Sequence, residues 1–158
     1  MSLLFGAFFV VAAFLAPQQS VVAAGPLEGR ACVSADLTGV WRSQLMQADE
    51  PGVMAFSAMA PNDYFRFRSD GDFIYFASNR VVTTLKAVEA GLDDADRLDG
   101  VTYRTRIMDG GMLIIERDGV PFQGFTCSVG APTNGKATII WTQLVGMPAV
   151  RRVQVRLD

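Results

Sequence analysis

The stretch YFRFRSDGDFIYFAS, residues 64–78, constrains the fold more than any other in the chain. Aromatic and charged side chains alternate there on either side of Asp70-Gly71. Period-two alternation marks a β-ribbon with two distinct faces, and Asp-Gly between two such runs signals a tight hairpin. With Asp70-Gly71 as a two-residue turn, Phe67 faces Ile74 and Phe65 faces Phe76 on the core side. Arg68 then faces Phe73 and Arg66 faces Tyr75 on an outer side where guanidinium groups lie over rings.

VTYRTRIMDGGMLIIER reads as a second hairpin through a three-residue loop, Asp109-Gly110-Gly111. That register sets Arg104 opposite Glu116 and gathers Tyr103, Thr105, Ile107, Leu113 and Ile115 on the inner face. Asp118-Gly119 turns the chain into the next run, bringing Phe122 opposite Ile115. The last run, VRRVQVRL, alternates with Val153, Val155 and Leu157 inward and Arg152, Gln154 and Arg156 outward.

Between the hairpins, SNRVVTTLKAVEAGLDDADRLDG sets helical spacing (Val81, Leu85, Val88, Leu92) against a strand-forming Val-Val-Thr-Thr start. It predicts a strand or short helix running into a solvated acidic loop with Asp93, Asp94, Asp96 and Asp99. Strands are expected near residues 37–45, 53–59, 64–69, 72–78, 101–108, 112–117, 120–128, 136–144 and 150–157. Regular short strands with short turns predict an all-β fold, an up-and-down antiparallel barrel of about eight strands.

The 158 residues suffice for one domain with a single sizeable core. A net charge of −2, with basic residues spread along the chain, argues against a nucleic-acid partner. Residues 1–24 read as a signal peptide: an apolar run over residues 3–16, then Pro17, then small residues ending at Ala24. The run is short of the roughly 20 residues that span a bilayer, so residues 25–158 form the expected mature domain, periplasmic or secreted. No Lys or Arg precedes the run, which leaves an uncleaved membrane anchor as the alternative. Arg30, two residues before Cys32, puts a charge where a lipoprotein signal has small or apolar residues.

In an exported chain the only two cysteines, Cys32 and Cys127, are expected to pair. That bond closes a loop worth roughly 4 to 5 kcal/mol in the loop-entropy picture. Two cysteines and no histidine leave no zinc site of the usual kind, no histidine-held haem and no Ser-His-Asp triad. No metal or cofactor is expected.

Gly39-Val40-Trp41 opening the first strand, the Phe-rich hairpin on Asp70-Gly71, the Gly100-x-x-Tyr103 strand and Leu113-x-Ile115 together resemble the lipocalin-like barrels of the calycin group. That group includes small bacterial members with signal peptides. The resemblance spans residues 36–158 and lacks the Thr-Asp-Tyr character of the group's second motif. It implies that Trp41 closes one end of the barrel under an arginine from a late strand, with Arg151, Arg152 and Arg156 as candidates. It also implies a carrier of a small apolar ligand. The candidate ligand-binding interior is Trp41, Phe65, Phe67, Phe76, Tyr103, Ile115 and Phe122, with entry opposite Trp41. Each of these rings, and Trp141, serves equally as plain core, because an eight-stranded barrel can be filled by its own side chains. No catalytic motif such as G-x-S-x-G is present, and Arg104 across the ribbon accounts for Glu116 without chemistry. The chain is therefore not read as an enzyme. The alternative to a carrier is a non-enzymatic interaction protein, such as a protease inhibitor or an accessory subunit of an envelope complex.

Overall fold

The computed structural model describes residues 29–48, 62–98, 100–143 and 150–158. The signal segment and the strand expected near 53–59 lie outside them. The elements are β1 (Arg30–Ala31), α1 (Ser34–Leu37), β2 (Gly39–Ala48), β3 (Asn62–Phe67), β4 (Phe73–Ser78), α2 (Leu85–Leu98), β5 (Tyr103–Met108), β6 (Met112–Arg117), β7 (Val120–Val129), β8 (Thr138–Gln143) and β9 (Val150–Arg156). Eight strands form one antiparallel sheet in the order β4-β3-β2-β9-β8-β7-β6-β5, with β1 added beside β7. Every neighbour is consecutive in the chain except β2 and β9, so the sheet is an up-and-down barrel. It nearly closes where β4 and β5 meet at one end. There Gly71 O accepts from Thr105 N at 2.7 Å, and Arg104 pairs with Asp72 at 3.2 Å.

The first hairpin departs from its expected register. Its loop has three residues, with Arg68 N donating to Asp72 O (2.9 Å) and Gly71 N donating to Arg68 O (3.1 Å). Gly71 takes the left-handed conformation (φ +91) that such a loop demands. Asp-Gly serves either turn, but the extra residue inverts β4 relative to β3. Phe67 therefore pairs with Phe73 and Phe65 with Tyr75 inside, while Arg66 pairs with Ile74 and Tyr64 with Phe76 outside. Phe76 and Ile74 thus leave the expected interior, and Phe73 and Tyr75 enter it.

β4 carries apolar residues on both faces, and its outer face is covered by a helix. The outer face meets α2, a helix where a short helix or strand and an acidic loop were expected. Thr84 caps its start, Oγ1 accepting from Ala87 N at 3.3 Å. Val88 and Leu92, one turn apart, are fully buried against Val40, Tyr64 and Ile74, with Phe76, Leu85 and Leu157 packed around them. Tyr64 ties down the approach to the helix, its hydroxyl accepting from Val82 N at 2.8 Å. Asp93 and Asp96, expected in a loop, project from α2 onto the strand arginines: Arg66–Asp93 is 2.6 Å and Arg68–Asp96 is 3.0 Å. These ion pairs replace the arginine-over-ring contacts expected on that face.

The second hairpin has the expected register, Arg104 opposite Glu116 and Thr105 opposite Ile115. Its ion pairs are offset, with Arg106 rather than Arg104 reaching Glu116 at 3.2 Å. The next turn forms on Asp118-Gly119 as expected, with Arg117 opposite Val120, but the ladder slips by one residue beyond it. Ile115 pairs with Gln123 and Glu116 with Pro121, so Phe122 sits in a bulge and is not opposite Ile115. The bulge reverses the later alternation, sending Phe125 and Cys127 inward. Cys127 is 0% exposed, and its disulfide with Cys32 lies in the main core, whereas strict alternation from an inward Phe122 would place Cys127 on the outside.

β9 is inverted as well. Trp41 pairs with Arg156 and Trp141 with Arg152, and both tryptophans are in the core. Arg152, Gln154 and Arg156 consequently face the barrel interior, while Val153, Val155 and Leu157 lie on the other face. The apolar residues of this strand have an outer layer to join, since Leu157 packs against the α2 cluster.

Candidate functional site

One end of the barrel is sealed. Trp41, 1% exposed, donates from Nε1 to Leu37 O at 2.6 Å, which fixes the single turn of α1 beneath the ring. The Arg156 guanidinium carbon stands 5.9 Å from the ring centre. Of the three arginines expected as candidates to lie over this tryptophan, Arg156 fills the position. Cys32, Leu37, Phe67 and Cys127 belong to the same core cluster as Trp41.

Towards the other end the interior opens into a cavity of about 240 Å³. Six rings of its wall come from five strands of the barrel: Phe65 on β3, Phe73 and Tyr75 on β4, Tyr103 on β5, Phe125 on β7 and Trp141 on β8. Ile115, Gln123 and Arg152 fill the gaps, and Phe122, 53% exposed, stands at the edge. The rings contact one another closely, with Phe65 and Trp141 centroids 5.3 Å apart and Phe125 and Trp141 5.4 Å apart. Tilted aromatic pairs at such separations are favourable beyond the area they bury, so the wall is firm.

Polar groups gather on one side. Tyr75 OH donates to Asp63 Oδ1 at 3.0 Å, and Arg152 Nη1 lies 3.7 Å from Asp63 Oδ2. Burial, then the neighbouring Asp63 carboxylate and the hydrogen bond to it, hold the Tyr75 phenol well above its ordinary value against the opposing pull of Arg152. Tyr75 is therefore a neutral donor at physiological pH. Trp141 Nε1, Arg152 Nε and both amide atoms of Gln154 are buried without a hydrogen-bond partner among the described residues.

Of the residues expected in the binding interior, Phe65, Tyr103, Ile115 and Phe122 line the cavity. Trp41 and Phe67 belong to the sealed end, and Phe76 lies outside the barrel under α2. Phe73, Tyr75, Gln123, Phe125 and Arg152 were not anticipated. The signal for Arg152 was present in Trp41: once Arg156 is placed over that ring, alternation carries Gln154 and Arg152 to the inner face with it.

The fold and site define an antiparallel barrel, sealed at one end, with an aromatic cavity towards the other. Comparison with protein-family models, curated proteins and solved structures returns no significant match.

Proposed function

We propose that this chain is an exported, lipocalin-like barrel that binds one small apolar molecule in the cavity opposite Trp41. The cavity itself carries the reading: about 240 Å³ walled mainly by aromatic rings, with polar groups of Tyr75, Tyr103, Gln123 and Arg152 set among them. A cavity of roughly 150 Å³ accommodates benzene, so this one suits a molecule of one or two fused rings. Apolar lining with a few polar groups is the usual composition of a small-molecule site. Export to the periplasm or medium is supported by the signal-like residues 1–24 and by the disulfide, which an oxidising compartment favours. Among the described residues no helix is long and apolar enough to cross a membrane.

Titration with 1-aminonaphthalene, a neutral and environment-sensitive fluorophore, tests the reading. Saturable one-to-one binding by the folded protein in the micromolar range supports it, and fluorescence that rises without saturation removes it. One observation favours the second reading, a non-enzymatic interaction protein such as a protease inhibitor or an envelope accessory subunit. Val120 and Phe122, 65% and 53% exposed, stand beside the cavity as an apolar lip that a partner could cover.

A further inference from the structure

Two residues of the cavity wall each carry a buried donor with no acceptor among the described residues, Trp141 Nε1 and Arg152 Nε. They stand on paired residues. Trp141 and Arg152 are directly opposite in the β8–β9 ladder, on the inner face, where facing side chains are close neighbours. Trp141 is 1% exposed, so water at the protein surface does not satisfy its N–H. Indole and guanidinium nitrogens donate and do not accept, and arginine stays charged at any physiological pH. What both lack is the same thing, an acceptor, and beside a fixed cation an anionic acceptor is favoured.

Asp63 does not fill this place. One of its oxygens accepts from Tyr75 OH, the other stands 3.7 Å from Arg152 Nη1, and Asp63 is not part of the cavity wall. Arg152 is therefore the charged side chain that lines the cavity, with the Asp63 carboxylate set behind it. The aromatic rings alone would also suit a cation, but a guanidinium in the wall opposes one.

Resting on the reading that the cavity binds a small apolar molecule, we propose that its ligand is an aromatic carboxylate. The ring system lies among Phe65, Tyr103 and Phe125, and the acid group accepts from Arg152 and Trp141.

The test holds the ring constant and changes the head group. Isothermal titration of the full-length, disulfide-bonded protein with 2-naphthoate, 2-naphthamide and 2-(aminomethyl)naphthalene is expected to give at least tenfold tighter binding of the acid than of the neutral amide, and weakest binding of the cation. Arg152→Gln should abolish the acid's advantage over the amide, while Arg152→Lys should retain part of it. Near-UV circular dichroism confirms that each variant keeps its aromatic packing. Equal binding of acid and amide, or preference for the cation, overturns the carboxylate assignment and leaves the cavity reading standing. Failure of all three naphthalenes to bind the wild-type protein overturns both.

Discussion

Arg156 lies over the ring of Trp41 at 5.9 Å, and Gly39 makes room for it. A Cβ at position 39 would stand 3.0 Å from Arg156 Nε and 2.9 Å from Asp158 Oδ1, and Gly39 holds a φ of +132 that side-chain-bearing residues rarely adopt. The Gly-x-Trp pattern at the start of β2 is thus one device. The glycine admits the arginine, the arginine covers the tryptophan, and the tryptophan holds α1 through Leu37.

Gly39→Ala is accordingly expected to destabilise the protein by about 2 to 4 kcal/mol, combining backbone strain with displacement of Arg156. Arg156→Ala should cost only about 1 to 2 kcal/mol, the scale of a partly desolvated cation–ring contact with its packing. Urea unfolding followed by tryptophan fluorescence measures both. A larger loss in Arg156→Ala than in Gly39→Ala would show that the glycine is not what the device depends on.

The same device explains how much of the barrel was legible in the sequence. The up-and-down barrel of about eight strands and the second hairpin's register follow from alternation and turn residues, because Asp109-Gly110-Gly111 fits the three-residue loop that forms. Asp70-Gly71 fits two loops, and FIYF on β4 is apolar on both faces, so pattern alone does not choose between them. The choice depends on α2, which buries Ile74 from outside, and α2 was hidden by its β-branched approach and acidic surface. β9 misleads for the same reason, since Val153, Val155 and Leu157 face outward while Arg152, Gln154 and Arg156 face the interior. The cavity's Arg152 was lost with that inversion.

Phe73 and Phe76 separate the two registers by function. Phe73→Ala removes part of the cavity wall and should change naphthalene binding severalfold, besides destabilising by about 3 to 5 kcal/mol. Phe76→Ala, under α2, should destabilise by a smaller amount, about 1 to 3 kcal/mol, since the ring is only partly buried, and leave affinity within twofold. Binding is measured at low temperature, where both variants are folded. The opposite pattern would restore the two-residue turn.

Processing and redox state are open to mass spectrometry. Protein recovered after export is expected to begin at Gly25 and to be two hydrogens lighter than its reduced form. The Cys32–Cys127 bond spans 95 residues and is buried with the sealed end, so it should resist mild reductant until the barrel opens. Replacing both cysteines with serine should cost about 3 to 5 kcal/mol. Free thiols in unreduced, exported protein would contradict the pairing.

Gln154 is 0% exposed, and its amide oxygen and nitrogen have no partner among the described residues. Unpaired buried polar groups cost roughly 1 to 3 kcal/mol, whereas a thioether of similar length carries no such cost. Gln154→Met is therefore expected to leave stability unchanged or to raise it by about 1 kcal/mol, unusual for a substitution at a fully buried site. Thermal unfolding reads this directly, and a fall of several degrees in Tm would mean that the amide is satisfied in solution.

Tyr103 gives the sharpest separation between an open cavity and a packed interior. Its ring is partly buried in the wall, 6.4 Å from Phe73 on one side and 6.4 Å from Phe122 on the other. If the space beside it is open, Tyr103→Trp fills that space: 1-aminonaphthalene should bind at least fivefold more weakly while stability changes by less than about 1 kcal/mol. If the interior is closely packed in solution, the larger ring has nowhere to go, and overpacking should cost roughly 1 to 3 kcal/mol with no binding to lose. Tyr103→Ala supplies the converse, a larger cavity that admits bulkier naphthalenes and loses stability in proportion to the volume emptied. Weakened binding in the tryptophan variant, together with widened ligand tolerance in the alanine variant, would locate the bound ring beside β5.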